Sequence, residues 1–303
     1  MWTDLNTCRM LVLAGCLALT GVAAAAALQP LQQLLSERRC AVYSPATAQQ
    51  LRRAEAGFVK LLEDPDAMVG DTATAWQELE FSVTQLTAGD ASWLVLREEP
   101  GFCKGQGLYL IRQGVAAGLL LQVPHGYFDK YTDDIAAGLL QAPVRAIAFN
   151  TVPRHYTQHG MKIDADLAHR EDNLFAALTR AFARVYPAGR LVQLHGFNPA
   201  KRKTAAGHSA AVIVSAGTTW PTPASTAVAA CLQSLLNDPV RLYPRDVQEL
   251  GATTNLQGRQ LRGLAHNGFV HVELSRALRE RLRSEDPLRA GFAACLYNGM
   301  EQQ

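Results

Sequence analysis

The chain has 303 residues, which is enough for one large domain or two small ones. Its formal charge of +2, with lysine and arginine scattered along the chain, excludes the basic footprint of a nucleic-acid-binding protein. Neither an internal repeat nor a linker-like stretch divides the chain after residue 28. We therefore expect a single domain over 28–303, in which 28–115 is a candidate accessory N-terminal layer.

Residues 1–27 have the pattern of a secretory signal peptide. A short polar start with one arginine precedes an apolar stretch over 10–28, which ends in a run of alanines. We place the cleavage site near Ala26 or Ala27, so that the mature protein is periplasmic or secreted and keeps no stable membrane span. Residues 13–16 resemble a bacterial lipobox, but the apolar stretch ahead of Cys16 is short, so lipidation is the less favoured alternative.

Four cysteines follow the predicted signal peptide: Cys40, Cys103, Cys231 and Cys295. An even number of cysteines in an exported chain indicates disulfides, and four cysteines allow three pairings. We predict that Cys40 pairs with Cys103 and Cys231 with Cys295, so that each pair stays within its own half of the chain. None of them lies in a CxxC motif, which argues against a zinc–thiolate site, and buried free thiols are the alternative to disulfides.

Hydrophobic periodicity and turn residues divide the mature chain into strands and helices. Strands are predicted at 76–87, 93–97, 107–112, 118–123, 144–150, 191–197, 210–215, 240–243 and 268–275. Helices are predicted at 47–63, 133–141, 167–186, 222–236 and 276–283. Loops are predicted at 151–166, 198–207 and 255–263. The alternation of strands and helices from about Gly118 onward indicates a layered α/β domain.

The strand predicted at 118–123 ends at Pro124-His125-Gly126, and Asp129 follows His125 by four residues. In open α/β sheets, ligands bind in the crevice at the carboxyl ends of the strands. An imidazole and a carboxylate on one strand-end loop are typical of two ligands of a single divalent metal. A turn histidine followed by a helix-capping aspartate is the structural alternative for this stretch taken alone.

Two later strands also carry polar residues near their ends, His195 in 191–197 and Glu273 in 268–275. A catalytic zinc takes three protein ligands and keeps one position open for water, and a hydrolase needs a general base for that water. The candidate Zn²⁺ ligands are His125, Asp129 and His195. The candidate general base is Glu273. An unpaired carboxylate such as that of Glu273 is costly to bury in an apolar strand. His271 and Ser275 lie on the same strand face as Glu273, which indicates a polar cleft on that side.

The segment HGYFDKYTDDIA, which begins at His125, resembles the first metal motif of poly-γ-glutamate hydrolase-like and N-formylglutamate amidohydrolase-like enzymes, relatives of the zinc carboxypeptidases. QLHGF around His195 and FVHVELSRALR around Glu273 resemble later motifs of these families, and the similar blocks are scattered over 119–282. The resemblance implies a three-layer α/β/α fold with a mixed central sheet. It also implies that His125, Asp129 and His195 bind zinc and that Glu273 is the base.

The chain departs from that first motif in its carboxylate. The families commonly have Glu where this chain has the shorter Asp129, and the spacing in this chain is one residue tighter. Asp133 or Asp134 therefore remains a fallback ligand.

Substrates of such enzymes end in carboxylates, for which arginine is the preferred bidentate partner. The arginine candidates are Arg154 in the loop 151–166 and Arg259 in the loop 255–263. Carboxypeptidase relatives use an asparagine together with arginine, which adds Asn255. His169 and Asn173 are further candidates at the start of the helix 167–186. Residues 201–203 are all basic and are predicted to form a mobile rim for anionic substrates, with a plain solvated loop as the alternative.

The leading hypothesis is a secreted or periplasmic zinc amidohydrolase acting on a peptide or an acylated amino acid. A non-catalytic periplasmic binding protein that kept the metallohydrolase fold is the alternative. A serine hydrolase is disfavoured, because neither Gly207-His208-Ser209 nor the segment 214–217 has the GxSxG pattern. A γ-glutamyl polymer, a cell-wall peptide and an N-acyl amino acid would all suit a zinc site with an arginine beside it.

Overall fold

The computed structural model of the protein describes residues 31–66 and 69–301. The predicted signal peptide and Cys16 lie outside these residues. In the described part of the chain, no helix is both long and apolar enough to span a membrane.

A large mixed sheet forms the centre of the described structure, and nine strands belong to it. They are β1 (Phe81–Ala88), β2 (Ala91–Glu98), β3 (Leu108–Arg112), β4 (Ala117–Val123), β5 (Val144–Phe149), β8 (Arg190–Phe197), β9 (Val212–Ser215), β10 (Val240–Leu242) and β11 (Phe269–Ser275). Their spatial order is β1-β2-β3-β5-β4-β8-β11-β9-β10. The central strands β5, β4, β8 and β11 are parallel, whereas β1, β2, β3 and β5 pair antiparallel in succession, and β9 is antiparallel to β11.

Helices cover both faces of this sheet. They are α1 (31–37), α2 (Ala48–Glu63), α3 (Val69–Gln77), α4 (Thr132–Ala137), α5 (Leu174–Val185), α6 (Ala205–Ser209), α7 (Pro223–Leu235), α8 (Leu256–Gly263), α9 (Arg276–Ser284) and α10 (Asp286–Tyr297). Buried residues of α2, α5 and α8 form one hydrophobic core with one face of the sheet. Those of α4, α7, α9 and α10 form a second core with the other face. The predicted α/β class with helices on both sides of a mixed sheet is confirmed.

Strand β4 shows why one strand can serve both cores. Successive side chains of a strand point to opposite faces of the sheet. Leu119 and Leu121 accordingly belong to one core, while Leu120 belongs to the other, and all seven residues of β4 are buried. A continuous apolar run is therefore what a strand at this position requires.

The candidate accessory layer is continuous with the rest of the molecule. Strand β3 pairs with β5, which joins the antiparallel strands β1–β3 to the parallel part of the sheet. Helix α2 packs against α5 on the same face. Residues 81–112 therefore extend the central sheet instead of forming a separate layer on it.

Two predicted boundaries differ from the structure near aromatic and capping residues. The strand predicted at 76–87 begins only at Phe81, because Trp76 lies in the last turn of helix α3, where its ring packs 4.8 Å from the ring of Phe58. The helix predicted at 167–186 begins only at Leu174, because the side chain of Asn173 accepts a hydrogen bond from the backbone N–H of Ala176 at 3.0 Å. An asparagine in that position is a helix N-cap.

The three predicted loops contain regular structure. Residues 151–166 include a two-stranded hairpin, β6 (His155–Gln158) and β7 (Met161–Asp164). Residues 255–263 contain α8, whose N-cap is Asn255. Residues 198–207 contain a 3₁₀ turn (Pro199–Lys201) and the start of α6. These elements are short, so each one presents too few residues for a clear hydrophobic period.

Both cysteine pairs lie at disulfide distance. The Cα atoms of Cys40 and Cys103 are 5.5 Å apart, and those of Cys231 and Cys295 are 5.4 Å apart. These are the same two pairs as in the sequence analysis. The second pair joins α7 to α10 across 64 residues of chain.

We expect the double substitution Cys231→Ser, Cys295→Ser to lower the free energy of unfolding by about 2 to 5 kcal/mol, because the crosslink restricts the unfolded chain. Urea denaturation of the mature protein measures this loss. The variant Cys40→Ser, Cys103→Ser tests the other pair in the same way. Titration of unfolded, unreduced mature protein with a thiol reagent should find no free thiol, and four free thiols would overturn both pairs.

Candidate metal centre

The candidate site lies where the parallel strands β4, β8 and β11 end. The sheet register places His195 of β8 directly beside Glu273 of β11. His125 follows β4 in a turn, and the backbone N–H of Asp129 donates to the His125 carbonyl at 2.8 Å. Since parallel strands end at one edge of a sheet, the three segments bring their polar side chains to the same crevice.

Two imidazoles converge on one carboxylate in this crevice. The Nδ1 atom of His125 lies 3.6 Å from Oδ2 of Asp129, and the Nδ1 atom of His195 lies 3.4 Å from the same oxygen. The two rings are 4.7 Å apart between centroids. These three buried residues form a group that could hold a metal ion. The structure thus brings together the three residues that the sequence analysis named as ligands.

The outer nitrogen of each imidazole has its own partner. Nε2 of His125 lies 2.8 Å from Oδ1 of Asp166, and Nε2 of His195 lies 3.3 Å from Oε1 of Gln193. Metal-binding histidines commonly use the second ring nitrogen in this way, which fixes the ring orientation. Asp166 and Gln193 were missed by the sequence analysis. Asp166 is 41 residues from His125 in the chain, so no local pattern connects them.

The electrostatics of the site favour ionised carboxylates. Burial opposes the charge on Asp129, but hydrogen bonds from His125 and His195 outweigh it and hold its pKa well below the usual range. Burial also opposes the charge on Asp166, yet the hydrogen bond with His125 lowers its pKa to about 2. Burial lowers the pKa of His195, which favours its neutral form. An ionised carboxylate and a neutral imidazole are the forms that bind metals.

His125 has the opposite balance. Burial lowers the pKa of His125. The hydrogen bonds to Asp129 and Asp166 and the charges of these carboxylates outweigh burial and raise the pKa to about 9. A cation bound at Nδ1 would replace the second proton of this ring, since the same lone pair cannot serve both.

Glu273 and His271 lie on the same face of β11 beside these ligands. Burial, followed by the charge of Asp129, raises the pKa of Glu273 to about 8. Oε2 of Glu273 and Nδ1 of His271 are buried and have no hydrogen-bond partner among the described residues. Buried polar atoms are rarely left unsatisfied in folded proteins. Both atoms lie beside the three candidate ligands, where a ligand, a water or a substrate would complete them.

His195, His271 and Glu273 form a second group that could hold a metal ion. The rings of His195 and His271 lie 4.4 Å apart with planes only 34° from parallel. Imidazole lone pairs lie in the ring plane, so two stacked rings direct them poorly at one ion. Nε2 of His195 also faces Gln193. The geometry therefore favours the group of His125, Asp129 and His195.

The fallback ligands point elsewhere. Asp133 pairs with Arg38 and lies against Gly126, and Asp134 pairs with Arg283 at 3.0 Å. The sequence left the choice of carboxylate open, and the structure places Asp129 alone of the three against both histidines.

Two predicted substrate-binding residues lie at the site. Nη1 of Arg154 is 3.4 Å from Nδ1 of His125, and the guanidinium carbon lies 5.3 Å from the ring centroid of Phe128. Nε of Arg154 is buried without a hydrogen-bond partner in the part of the chain that the structure describes. His169 is exposed in the turn after Asp166, and its charge acts on both Asp166 and His271.

The other predicted substrate-binding residues are placed elsewhere. Asn255 is 3% exposed, and both ends of its amide are engaged within the protein, since Oδ1 accepts from the Gly258 backbone N–H and Nδ2 donates to Gln193. Asn173 is a buried N-cap. Arg259 is exposed beside Gly258, which lies against Phe269 at the far end of β11. Phe269 lies four residues before Glu273 in β11, which is roughly 13 Å along the strand.

Arg279 links the segments that carry the site. Its Nε donates to the Leu274 carbonyl at 3.2 Å, and its Nη1 donates to the Lys130 carbonyl in the loop of Asp129. Between them the guanidinium crosses Gly196 so closely that a Cβ atom there would overlap it. Residue 196 is therefore a glycine because no larger side chain fits beside Arg279. The sequence analysis did not identify this steric constraint.

The three basic residues at 201–203 form part of the rim. Arg202 pairs with Glu249 at 3.8 Å and lies near enough to Glu273 to lower its pKa. The backbone N–H of Lys203 donates to both carboxylate oxygens of Glu249 at 3.0 Å. Glu249 therefore contacts two of the three residues that the sequence analysis predicted as a mobile rim.

No protein-family model and no curated protein matches the chain. Among solved structures, the chain is similar to YNDL in an apo, zinc-free form, with 16% identity and a TM-score of 0.39 over 62% of this chain and 87% of that one. A candidate carboxypeptidase from Burkholderia mallei has 11% identity and a TM-score of 0.38 over 75% and 66%. A candidate metallopeptidase from Shewanella amazonensis has 11% identity and a TM-score of 0.31 over 75% and 92%. Likenesses with such TM-scores carry no argument about function, which has to come from the site.

We expect Gly196→Ala to lower the free energy of unfolding by about 1 to 3 kcal/mol, because the added methyl group displaces the buried guanidinium of Arg279. Urea denaturation measures the change. Gly263→Ala is the matched control, since Gly263 ends α8 with open space around it and should be neutral or stabilise by up to about 1 kcal/mol. Equal stabilities of the two variants would contradict the steric role of Gly196.

Proposed function

We propose that the protein is a secreted, zinc-dependent amidohydrolase that cleaves an amide bond in a carboxylate-bearing peptide or N-acyl amino acid. The observation that supports it best is the convergence of the Nδ1 atoms of His125 and His195 on Oδ2 of Asp129. Oε2 of Glu273, which has no hydrogen-bond partner among the described residues, lies in the same crevice. Localisation outside the cytoplasm is part of the proposal and is supported by the predicted signal peptide and the two cysteine pairs.

The donor set suits zinc. Two imidazole nitrogens and one carboxylate oxygen are three protein ligands, the number found in catalytic zinc sites with one open position. When bound, zinc would polarise the scissile carbonyl and lower the pKa of a water in the open position toward neutrality. Asp166 and Gln193 hold the two imidazoles with Nδ1 directed inward.

Glu273 is the proposed general base. It lies on β11 directly beside His195, where its unpartnered Oε2 can accept a proton from the attacking water and return it to the leaving amine. Burial keeps its pKa near the range in which a carboxylate can both accept and release a proton. A bound dication would lower that pKa and favour the ionised base.

Arg154 is the proposed contact for the substrate carboxylate. Its Nη1 now contacts Nδ1 of His125, the atom that a metal would occupy. Metal binding would therefore leave Arg154 free to pair with an anionic group beside the scissile bond, and its buried Nε supplies a second donor. The guanidinium of Arg154 lies over the exposed ring of Phe128, 5.3 Å from the ring centroid.

The alternative is a binding protein that kept this fold without turnover. Such a protein would use the same arginine and the same crevice, so geometry alone does not separate the two. A survey of amide substrates with and without a free carboxylate separates them by turnover, and it also identifies the substrate class.

We expect purified mature protein to bind about one zinc ion per chain, and His195→Ala to lose zinc and activity together, because it leaves only two protein ligands. Metal analysis after dialysis and a hydrolysis assay measure the two effects. His208→Ala is the control, since this histidine is exposed on α6. Wild-type protein that folds without zinc and is indifferent to a chelator would contradict the metallohydrolase proposal.

We expect Glu273→Gln to keep its zinc while turnover falls by about 10² to 10⁴, because the amide keeps the shape of the side chain but cannot accept the proton. Steady-state kinetics and metal analysis of one preparation test this. Loss of zinc with normal folding would make Glu273 a ligand instead of the base. Full activity would place the base elsewhere, with His271 or His169 as the next residues to replace.

A further inference from the structure

A chain of buried amides lies beneath the candidate metal centre. It consists of Gln122 on β4, Gln193 on β8, and Asn255 and Gln257 at the start of α8, all at most 3% exposed. Gln193 is at its centre, where it contacts each of the other three and His195. Four amides and an imidazole sharing one buried network can be satisfied only if every donor meets an acceptor.

The direction of the hydrogen bonds is set at three points by groups that can act in one way only. The hydroxyl of Thr179 donates to the Phe175 carbonyl at 2.8 Å, so its oxygen accepts from Nε2 of Gln122 at 3.2 Å. Oε1 of Gln122 therefore faces Gln193 and requires a donor there. Nε2 of Gln193 supplies it at 2.8 Å.

The other two points lead to the same orientation of Gln193. Nε2 of Gln257 donates to the Leu167 carbonyl at 2.9 Å, so its Oε1 faces Nε2 of Gln193 at 3.1 Å. The N–H of Gly258 donates to Oδ1 of Asn255 at 3.0 Å, so Nδ2 of Asn255 donates to Oε1 of Gln193 at 2.7 Å. A carbonyl cannot donate and a backbone N–H cannot accept.

Oε1 of Gln193 is consequently an acceptor, and it lies 3.3 Å from Nε2 of His195. A neutral imidazole carries its proton on one nitrogen and a lone pair on the other. We propose that Gln193 is a positioning residue that keeps a proton on Nε2 of His195, so that Nδ1, which faces Asp129, is the nitrogen left for a metal. The part of this inference that concerns metal affinity rests on the proposed function, whereas the tautomer itself does not.

The same network explains the cost of losing that arrangement. In the opposite tautomer, the lone pair of Nε2 would face the lone pairs of the Gln193 oxygen, and the amide cannot rotate without breaking its bonds to Gln122 and Gln257. The tautomer is therefore set by backbone groups on α5, before α5 and on α8.

The tautomer is tested first on metal-free wild-type protein. Nitrogen-15 NMR of protein labelled in histidine identifies the protonated ring nitrogen, and the signal that is missing in His195→Ala assigns His195. We expect Nε2–H. A ring that carries its proton on Nδ1 alone would overturn the inference, whatever the enzyme does. Nε2–H in a protein that binds no zinc would uphold the tautomer and defeat the proposed function, so the two failures are distinct.

The second test replaces the central amide. Gln193→Met keeps the length of the side chain and removes its polar atoms, and we expect both tautomers of His195 to appear and zinc affinity to fall by about 10- to 100-fold. Gln106→Met is the matched control, because Gln106 is a buried glutamine with its own hydrogen bonds to Ser44 and Leu174, away from this network. It should keep zinc affinity within about threefold of wild type.

A folded Gln193→Met protein with unchanged tautomer and affinity would overturn the positioning role. If Gln193→Met does not fold, the wild-type NMR measurement still decides the tautomer.

Discussion

The convergence of His125 and His195 on the carboxylate of Asp129 is the interaction on which the rest of the site depends. A buried carboxylate is costly unless it is paired, and here two imidazoles lower its pKa against the effect of burial. The pairing requires the loop after β4 and the end of β8 to meet, which they do because these strands are parallel neighbours. The crevice, its charge and its metal-binding capacity all follow from that adjacency.

Two further sets of contacts hold this arrangement from outside. Asp166, at the base of the β6–β7 hairpin, holds the outer nitrogen of His125. The amide network around Gln193 faces the outer nitrogen of His195. Arg279 connects the loop of Asp129 to the end of β11 across Gly196. Each segment that carries a candidate ligand is thus fixed by residues distant from it in the chain, as the outer contacts of metal-binding histidines generally are.

Hydrogen bonding is distributed unevenly over the site. The amide network beneath it is complete, with every side chain in the chain of amides engaged. The groups that face the crevice are incomplete, since Glu273, His271 and Arg154 each keep a buried polar atom that the described residues leave without a partner. Folded proteins tolerate such atoms mainly where a ligand, water or substrate completes them. The contrast separates the supporting structure from the surface that faces the crevice.

The sequence alone determined the α/β class, the four polar residues at strand ends, and the starts of the helices that carry a capping box, such as Thr47 with Gln50 in α2. These features depend on neighbours in the chain or on the period of a single element. The sequence did not reveal that Asn255 caps α8 or that Arg259 lies beside Gly258, which contacts Phe269, and it missed Asp166, Gln193 and Arg279. No sequence pattern near a glutamine in a strand or an arginine in a helix indicates which distant residues it contacts. Only the tertiary structure decided these roles, because each of them is a contact between segments that the parallel sheet brings together from distant parts of the chain.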